Sequence, residues 1–331
     1  MKLRPSTKTE LNKAANIAFA VLAASLLLSF FARVDWRFEH FSHFQIQYVL
    51  ISIIFFVVFL HFGKWDLAAL SIIICVLVVT LIWKTTYTYS AQESLLSEDP
   101  IQIATYNKFY KNENPEKIIT WIKSYNDFPD ILVIHEISLD EIEILQHGLS
   151  EYLFHAYTDE QTNARNRSLI LSKIPITSNE TVILQLKDRK RSVLKATLKT
   201  SKYNAFSLYA FHPKVPIPEK GANTRNREFV ELAEYIKDDV NPILFAGDFN
   251  ATVYTPYFQN FLASTGLKYA SHKFGFIPTW PSHLLLPFLQ IQIDHILLSE
   301  EFALGSIERG PSLGSDHYPL IATVELKEVF D

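Results

Sequence analysis

One cysteine stands among 331 residues, and that residue, Cys75, lies inside an apolar run. Beyond residue 89 there is none, which excludes a disulfide framework and reactive thiols there. That region can therefore sit in an oxidising compartment. Glycines number only nine, and there is no repeat or low-complexity tract. A basic excess is missing too: the first 89 residues hold eight Lys/Arg and four Asp/Glu, leaving 23 against 31 beyond, a net of −8. An acidic region argues against nucleic acid as the main partner, because polyanion binders carry a basic face.

Charge is absent altogether from residues 14–32, 47–62 and 67–83. The first and third runs are near the length that spans a bilayer, and the second is slightly short. Buried helices of a soluble protein show a polar face, and these runs have none. A signal peptide is the alternative for the first run, since basic residues precede it, but no small-x-small cleavage pattern follows. Trp36, Trp65 and Trp83 lie at the ends of the runs, where amphipathic rings favour the headgroup zone. The expectation is three transmembrane helices in a membrane domain over 1–89, a polar linker at 90–99, and a second domain over 100–331.

Past the linker, strand and helix signals alternate. Residues 100–107, 131–134, 193–200, 242–246 and 320–326 read as strands. Asn114-Pro115 is an N-cap and first-turn pair, followed by Ile118, Trp121, Ile122 and Tyr125 at helical spacing. Phe229, Leu232, Ala233 and Ile236 mark a second amphipathic helix. The pattern predicts one layered α/β domain of sheets covered by helices.

Polar residues recur at the ends of these strands. IATYN ends in Asn107, LVIHE in Glu136, YAFHP carries His212, and ILFAGDFN carries Asp248 and Asn250. IDHILLS starts at Asp294, and GSDHYPL places Asp316 and His317 before the last strand. Strand ends are where loops hold functional groups on a rigid scaffold. Taken singly, each has an ordinary reading: a turn-forming Asp248, a surface Glu136, a loop His212, a capping Asn107 or Asp316.

Together TYN (105–107), HE (135–136), FHP (211–213), GDFN (247–250), IDHI (293–296) and SDHYP (315–319) resemble the endonuclease/exonuclease/phosphatase, or DNase I-like, superfamily. The resemblance implies a four-layer sandwich of two β-sheets flanked by helices, and divalent-metal-dependent phosphoester hydrolysis. It implies Mg²⁺ (or Mn²⁺) on Glu136, with Asn107 beside it and Asp316 in reach. Asp248 would orient the attacking water, Asn250 would steady phosphoryl oxygens and His212 would donate to one of them. His317 would be the acid–base or transition-state imidazole, with its tautomer fixed by Asp294. The choice of base between Asp248 and His317 stays open. One departure is His135, where the superfamily commonly has glutamine before the metal-binding glutamate.

The layout of apolar runs followed by this domain is similar to the VanJ-type membrane-anchored branch. That implies a lipid-linked phosphate or pyrophosphate substrate, with an extracytoplasmic nuclease as the alternative and a non-catalytic receptor as the remaining one. The apolar stretch 274–290 reads either as core or as a lip that meets lipid. Lys187, Arg189, Lys190 and Arg191, around Asp188, read as a solvated hairpin tip. No protein partner is implied.

Lys and Arg count five before the first run and between the second and third (Lys2, Arg4, Lys8, Lys13, Lys64), against three on the other side (Arg33, Arg37, Lys84). This bias predicts an inside N-terminus and an outside catalytic domain; the VanJ-type resemblance implies a multi-pass protein of a bacterial inner membrane. A reporter fused after Asp331 is expected to be active only if it works outside the cytoplasm. Cytoplasmic reporter activity would reverse the orientation.

Overall fold

The computed structural model describes residues 5–91, 93–96, 100–124, 129–158, 167–186, 189–200, 205–271, 276–284 and 286–327. Tyr125, Lys187, Asp188, Lys2, Arg4 and positions 97–99, 274–275 and 285 lie outside the described residues. The chain forms two units that divide near Thr88.

The first unit is helical: α1 (Pro5–Ser29), α2 (Trp36–Ser42), α3 (Gln45–His61) and α4 (Trp65–Tyr89). Among the described residues, α4 and the Lys8–Ser29 part of α1 are long and apolar enough to cross a bilayer. The second apolar run departs from the expectation of a third independent span. With 17 residues, α3 rises about 26 Å, short of a hydrocarbon core of about 30 Å. It follows α2 across a 61° bend, so a third span exists only if the bent pair counts as one. Inside this unit the Phe19 ring meets Phe55 and Phe59 edge-on at 5.3 and 5.2 Å. Ile17, Val21, Ile73 and Val76 face outward, as hydrocarbon favours and water does not.

The second unit contains two sheets. One contains β1 (Ser90–Ala91), β6 (Ile176–Leu186), β7 (Arg189–Lys199), β8 (Ala205–Ala210), β9 (Ile243–Asp248), β10 (Lys268–Ala270) and β11 (Asp294–Leu298), in the order β1-β10-β11-β9-β8-β7-β6. The other contains β2 (Ile101–Asn107), β3 (Ile131–Ile137), β4 (Phe154–Tyr157), β5 (Arg167–Ser172), β12 (Phe302–Arg309) and β13 (Leu320–Leu326), in the order β12-β13-β2-β3-β5-β4. Ser90 and Ala91, within the stretch read as linker, pair with Tyr269 and Ala270 as an edge strand.

Between the sheets lies an apolar layer that includes Ile103, Val133, Leu198, Leu208, Leu244, Ile296 and Val324. On the outer face of the second sheet, α5 (Glu116–Ser124) and α6 (Leu139–Gly148) bury Ile118, Trp121, Ile122, Ile142 and Leu145. On the outer face of the first, α7 (Glu219–Tyr235) and α8 (Pro256–Thr265) contribute Phe229, Phe258 and Phe261 to an aromatic layer with Phe211, Phe245 and Phe249. The result is helix, sheet, sheet, helix.

Each sheet has the same centre. β2 and β3 are parallel, joined through α5, and β8 and β9 are parallel, joined through α7. Parallel neighbours joined by a crossover end on one side, so Asn107 and Glu136 come together, as do His212 and Asp248. An antiparallel strand begins beside each pair: Leu320 of β13 opposite Thr105, and Asp294 of β11 opposite Asp248. Strand starts and strand ends therefore share one edge.

Phe229, buried under four other phenylalanine rings, is the centre of the α7 contact. Phe229→Ala is expected to cost about 3–5 kcal/mol, measured as a lowered urea midpoint for the second unit followed by near-UV circular dichroism.

Candidate active site

All eight residues singled out in the sequence meet at that edge. The Asn107 side chain donates through Nδ2 to Glu136 Oε1 at 3.1 Å and to Asp248 Oδ2 at 3.0 Å. His212 Nε2 lies 3.6 Å from the same two carboxylate oxygens. His317 Nδ1 is 2.9 Å from Asp294 Oδ2, and its Nε2 is 3.7 Å from Asp248 Oδ2 and 4.0 Å from Asp316 Oδ1. Asn250 donates its backbone N–H to Asp248 Oδ1 at 2.8 Å and its Nδ2 to Pro213 O at 3.1 Å.

The backbone is strained where these groups are aimed. Among the described residues, three that are not glycine have left-handed φ: Phe109 at 62°, Glu136 at 60° and Asn250 at 49°. Each such residue costs on the order of 1–3 kcal/mol and persists where surroundings over-determine it. Glu136 sits at a bulge, since the register shifts between His135 and Ile137. A bulge turns a side chain away from the pleat, here toward Asn107. Phe109 turns so that its N–H reaches Asn107 Oδ1 at 3.0 Å, and the next N–H, of Tyr110, reaches Glu136 Oε2 at 2.8 Å. Gly247 is required by proximity: a Cβ there would stand 2.0 Å from Phe211 O and 2.7 Å from His135 Nε2. His135 is thus a packing residue, fully buried, with Nδ1 2.8 Å from Ser168 Oγ. Burial first, then the neighbouring His212, hold its pKa well below the ordinary value.

Several supporting residues escaped the sequence reading. Ser315 Oγ donates to Asn107 O at 2.7 Å and accepts from His317 N at 3.0 Å, tying the end of β2 to the segment that leads into its neighbour β13. Lys108, 1% exposed, donates from Nζ to Asn112 O at 2.9 Å and pairs with Glu141 at 2.9 Å. Helix α7 begins at Glu219, ten residues before the apolar pattern, because its buried face there is polar: Thr224, Arg225 and Glu228. Arg225 donates to Asn250 O at 3.1 Å. Glu228 accepts from Lys214 N at 2.7 Å and from Arg191 Nε at 2.6 Å, while Arg191 donates to His212 O at 3.1 Å. Arg191 therefore corrects the reading of the basic cluster as solvated, since its side chain is 16% exposed and braces the His212 loop. No apolar periodicity reports such residues, whose signal is charge on a helix face that should be buried.

Burial pushes the Asp248 carboxyl up to about 7, with the Asp294 charge adding to it and His317 opposing. Burial alone would lower His317, but the Asp294 and Asp248 charges outweigh it and raise it to about 10. His212 falls to about 4, chiefly through burial. Glu136 is lowered despite burial, by His212, the Tyr110 N–H and the Asn107 amide.

Four carboxylates thus converge, and none of Glu136, Asp248, Asp294 or Asp316 is paired with Lys or Arg among the described residues. Asp294 Oδ1 and His212 Nε2 are buried without a hydrogen-bond partner, the 3.6 Å contacts of His212 being too long to count. Oxygen-rich, acidic surroundings with unsatisfied polar atoms fit a hard divalent cation. The tightest group of potential ligands is Asp248, Asp294 and His317, with ligand atoms within 4.8 Å of one another. Asp294 Oδ2 is already engaged by the His317 ring at 2.9 Å, whereas the Glu136 and Asp316 side chains, 16% and 33% exposed, are the less buried carboxylates.

Residues 103–317 match the family model described as Endonuclease/Exonuclease/phosphatase family. The chain belongs to this family, whose members are hydrolases acting on phosphoester bonds, generally with divalent metals. Among solved structures it is similar to an endonuclease/exonuclease/phosphatase from Beutenbergia cavernae at 16% identity and TM-score 0.58, covering 70% of this chain and 72% of that one. It is similar to the 3′-5′ exonuclease NExo from Neisseria meningitidis at 19% identity and TM-score 0.54, covering 69% and 100%. The human Nocturnin catalytic domain with bound sulfate matches at 18% identity and TM-score 0.54, covering 69% and 95%. No curated protein matches the chain.

Glu228 touches none of the eight residues directly except through the loop of His212 and Lys214. Glu228→Gln is expected to lower kcat by about 10–10², the effect of misplacing a reacting group by about 1 Å, with the circular dichroism spectrum unchanged. Wild-type kcat would remove α7 from the positioning of His212.

Proposed function

We propose that the chain is a membrane-anchored, metal-dependent hydrolase of a lipid-linked phosphate or pyrophosphate, with its catalytic unit outside the cytoplasm. The observation that carries the hydrolase reading is the bonded His317–Asp294 pair facing Asp248 across 3.7 Å. Glu136 would hold Mg²⁺ or Mn²⁺, with Asn107 and Asp316 beside it. When bound, the cation supplies charge neutralisation on the phosphoryl oxygens. Asp248, poised near neutrality, takes the proton of the attacking water. Asp294 holds His317 as an imidazolium oriented toward Asp248, where it stabilises the developing negative charge. His212 is neutral and presents an unpartnered Nε2 at the same point, suited to donate to a non-bridging oxygen. Asn250, held by Pro213 O and Asp248, steadies the other side.

The lipid part of the reading is supported by the membrane-length apolar helices and by the net −8 beyond residue 89, which suits a polyanion poorly. In layout the chain resembles the VanJ-type branch, and that resemblance points to polyprenyl pyrophosphate carriers of the cell wall.

The test is the purified full chain in detergent with Mg²⁺, given a lipid pyrophosphate, a sphingomyelin-type lipid and plasmid DNA. Phosphate release from the lipid pyrophosphate is expected, abolished by EDTA, restored by Mg²⁺ or Mn²⁺, and lost in Glu136→Gln. His317→Ala is expected to lower kcat by about 10²–10⁴. The His317→Ala/Asp294→Asn double variant should be no slower, because the two residues act as a unit. Full activity in EDTA would overturn the metal, and cleavage of DNA alone would overturn the lipid substrate.

A further inference from the structure

We propose that the loops around this site form an apolar rim that takes the hydrocarbon chain of an amphiphilic phosphate, while its phosphate sits at the Glu136–Asp248–His317 network. The inference rests on the hydrolase reading above and names what selects the substrate.

The sequence left 274–290 open between core and lip. The turn Pro287–Leu289 contains no buried residue. Leu286, Phe288 and Leu289 are 49%, 45% and 46% exposed. The loop that carries them is nevertheless fastened to the site. Ser282 donates its N–H to Asp316 O at 2.7 Å and its Oγ to Ser315 O at 2.5 Å, and Trp280 Nε1 reaches Asp316 Oδ2 at 3.2 Å. On the return side Gln290 Nε2 donates to Leu284 O at 2.6 Å, and Arg309 holds Gln290 Oε1 at 3.0 Å. A loop braced at both ends that still holds three large apolar side chains in water has an exposed surface built into it.

The same edge carries more. Tyr110, whose N–H binds Glu136, is 43% exposed, and Val215 and Ile217, in the loop after His212, are 43% and 57% exposed. Elsewhere in the unit Leu153, Ile183, Val230 and Val240 are exposed one to an element, Leu139 and Ile144 share α6, and Leu95 and Tyr157 are exposed as well, a scatter ordinary for a protein surface. An apolar patch around a phosphate-directed site marks an interaction surface. The ligand that satisfies both chemistries at once is one molecule with a phosphate head and an apolar tail. Lys111, over the Phe109 and Tyr110 rings at 5.9 and 5.5 Å, adds a cation beside the apolar residues, suited to the headgroup.

The experiment uses the full chain in nanodiscs with Mg²⁺ and three probes: butyl, octyl and dodecyl pyrophosphate. For the wild type, kcat/KM is expected to rise about tenfold or more from butyl to dodecyl, since even one methylene held in an apolar pocket is worth about tenfold. In the Leu286→Ser/Phe288→Ser/Leu289→Ser variant that rise should shrink to roughly threefold or less, with the butyl value unchanged. Partition of the long probe into the bilayer is common to both proteins, so the difference isolates the rim. An unchanged rise in the variant would overturn the rim while leaving the hydrolase intact. If the wild type hydrolyses none of the probes, the hydrolase reading fails instead. Calorimetric binding of dodecyl pyrophosphate then decides the rim, supported if the variant binds more weakly and overturned if it binds equally.

Discussion

One side-chain amide joins the two sheets where the chemistry lies. Asn107 ends β2 in one sheet, and its Nδ2 donates both to Glu136 of its own sheet and to Asp248 of the other. Two carboxylates brought this close repel, and Asp248 is 2% exposed, so its charged form loses hydration as well. The Asn107 amide and the His317 imidazolium offset that repulsion. The strain at Phe109, Glu136 and Asn250 follows from the same demand, because an ordinary strand would direct these groups along the pleat and away from one another.

Around the network the protein uses buried ion pairs as braces. Lys108–Glu141 fixes the loop after Asn107 to the start of α6, and Arg191–Glu228 fixes the loop after His212 to α7. Such pairs add little net stability over an apolar substitute, yet removing one partner leaves an uncompensated buried charge. They suit a site that must stay rigid within fractions of an ångström. Arg225, on the same helix face as Glu228, does this for Asn250 by holding its carbonyl.

The family to which the chain belongs acts on phosphoesters of very different molecules, so the network by itself does not choose a substrate. That choice lies in what surrounds the network. Here the region beyond residue 89 is acidic in net charge, exposed loop tips beside the site are apolar, and the chain has membrane-length helices. These three properties are the grounds on which we propose an amphiphile rather than a nucleic acid.

The eight residues that converge were all singled out from the chain, because each stands at the end or start of an apolar run and each is of a type that phosphoester chemistry uses. The strand at Leu320–Leu326 and the helix carrying Ile118, Trp121 and Ile122 were equally plain, since alternation and 3.6-residue periodicity are local properties. Local patterns say nothing about which backbone turns against its own strand. The bulge that aims Glu136, the close approach that demands Gly247 and the role of His135 as filler came only with tertiary packing. The polar face of α7 was invisible for a related reason: Arg225 and Glu228 look like solvent-facing residues until the loops they hold are folded over them. The apolar stretch before Asp294 shows the limit best. Its composition fits core and surface equally, and only the fastening of Ser282 and Trp280 to Ser315 and Asp316 decided that Leu286, Phe288 and Leu289 face outward. Composition sets what a segment gains by burial, whereas the positions of its anchors in space decide whether burial is available.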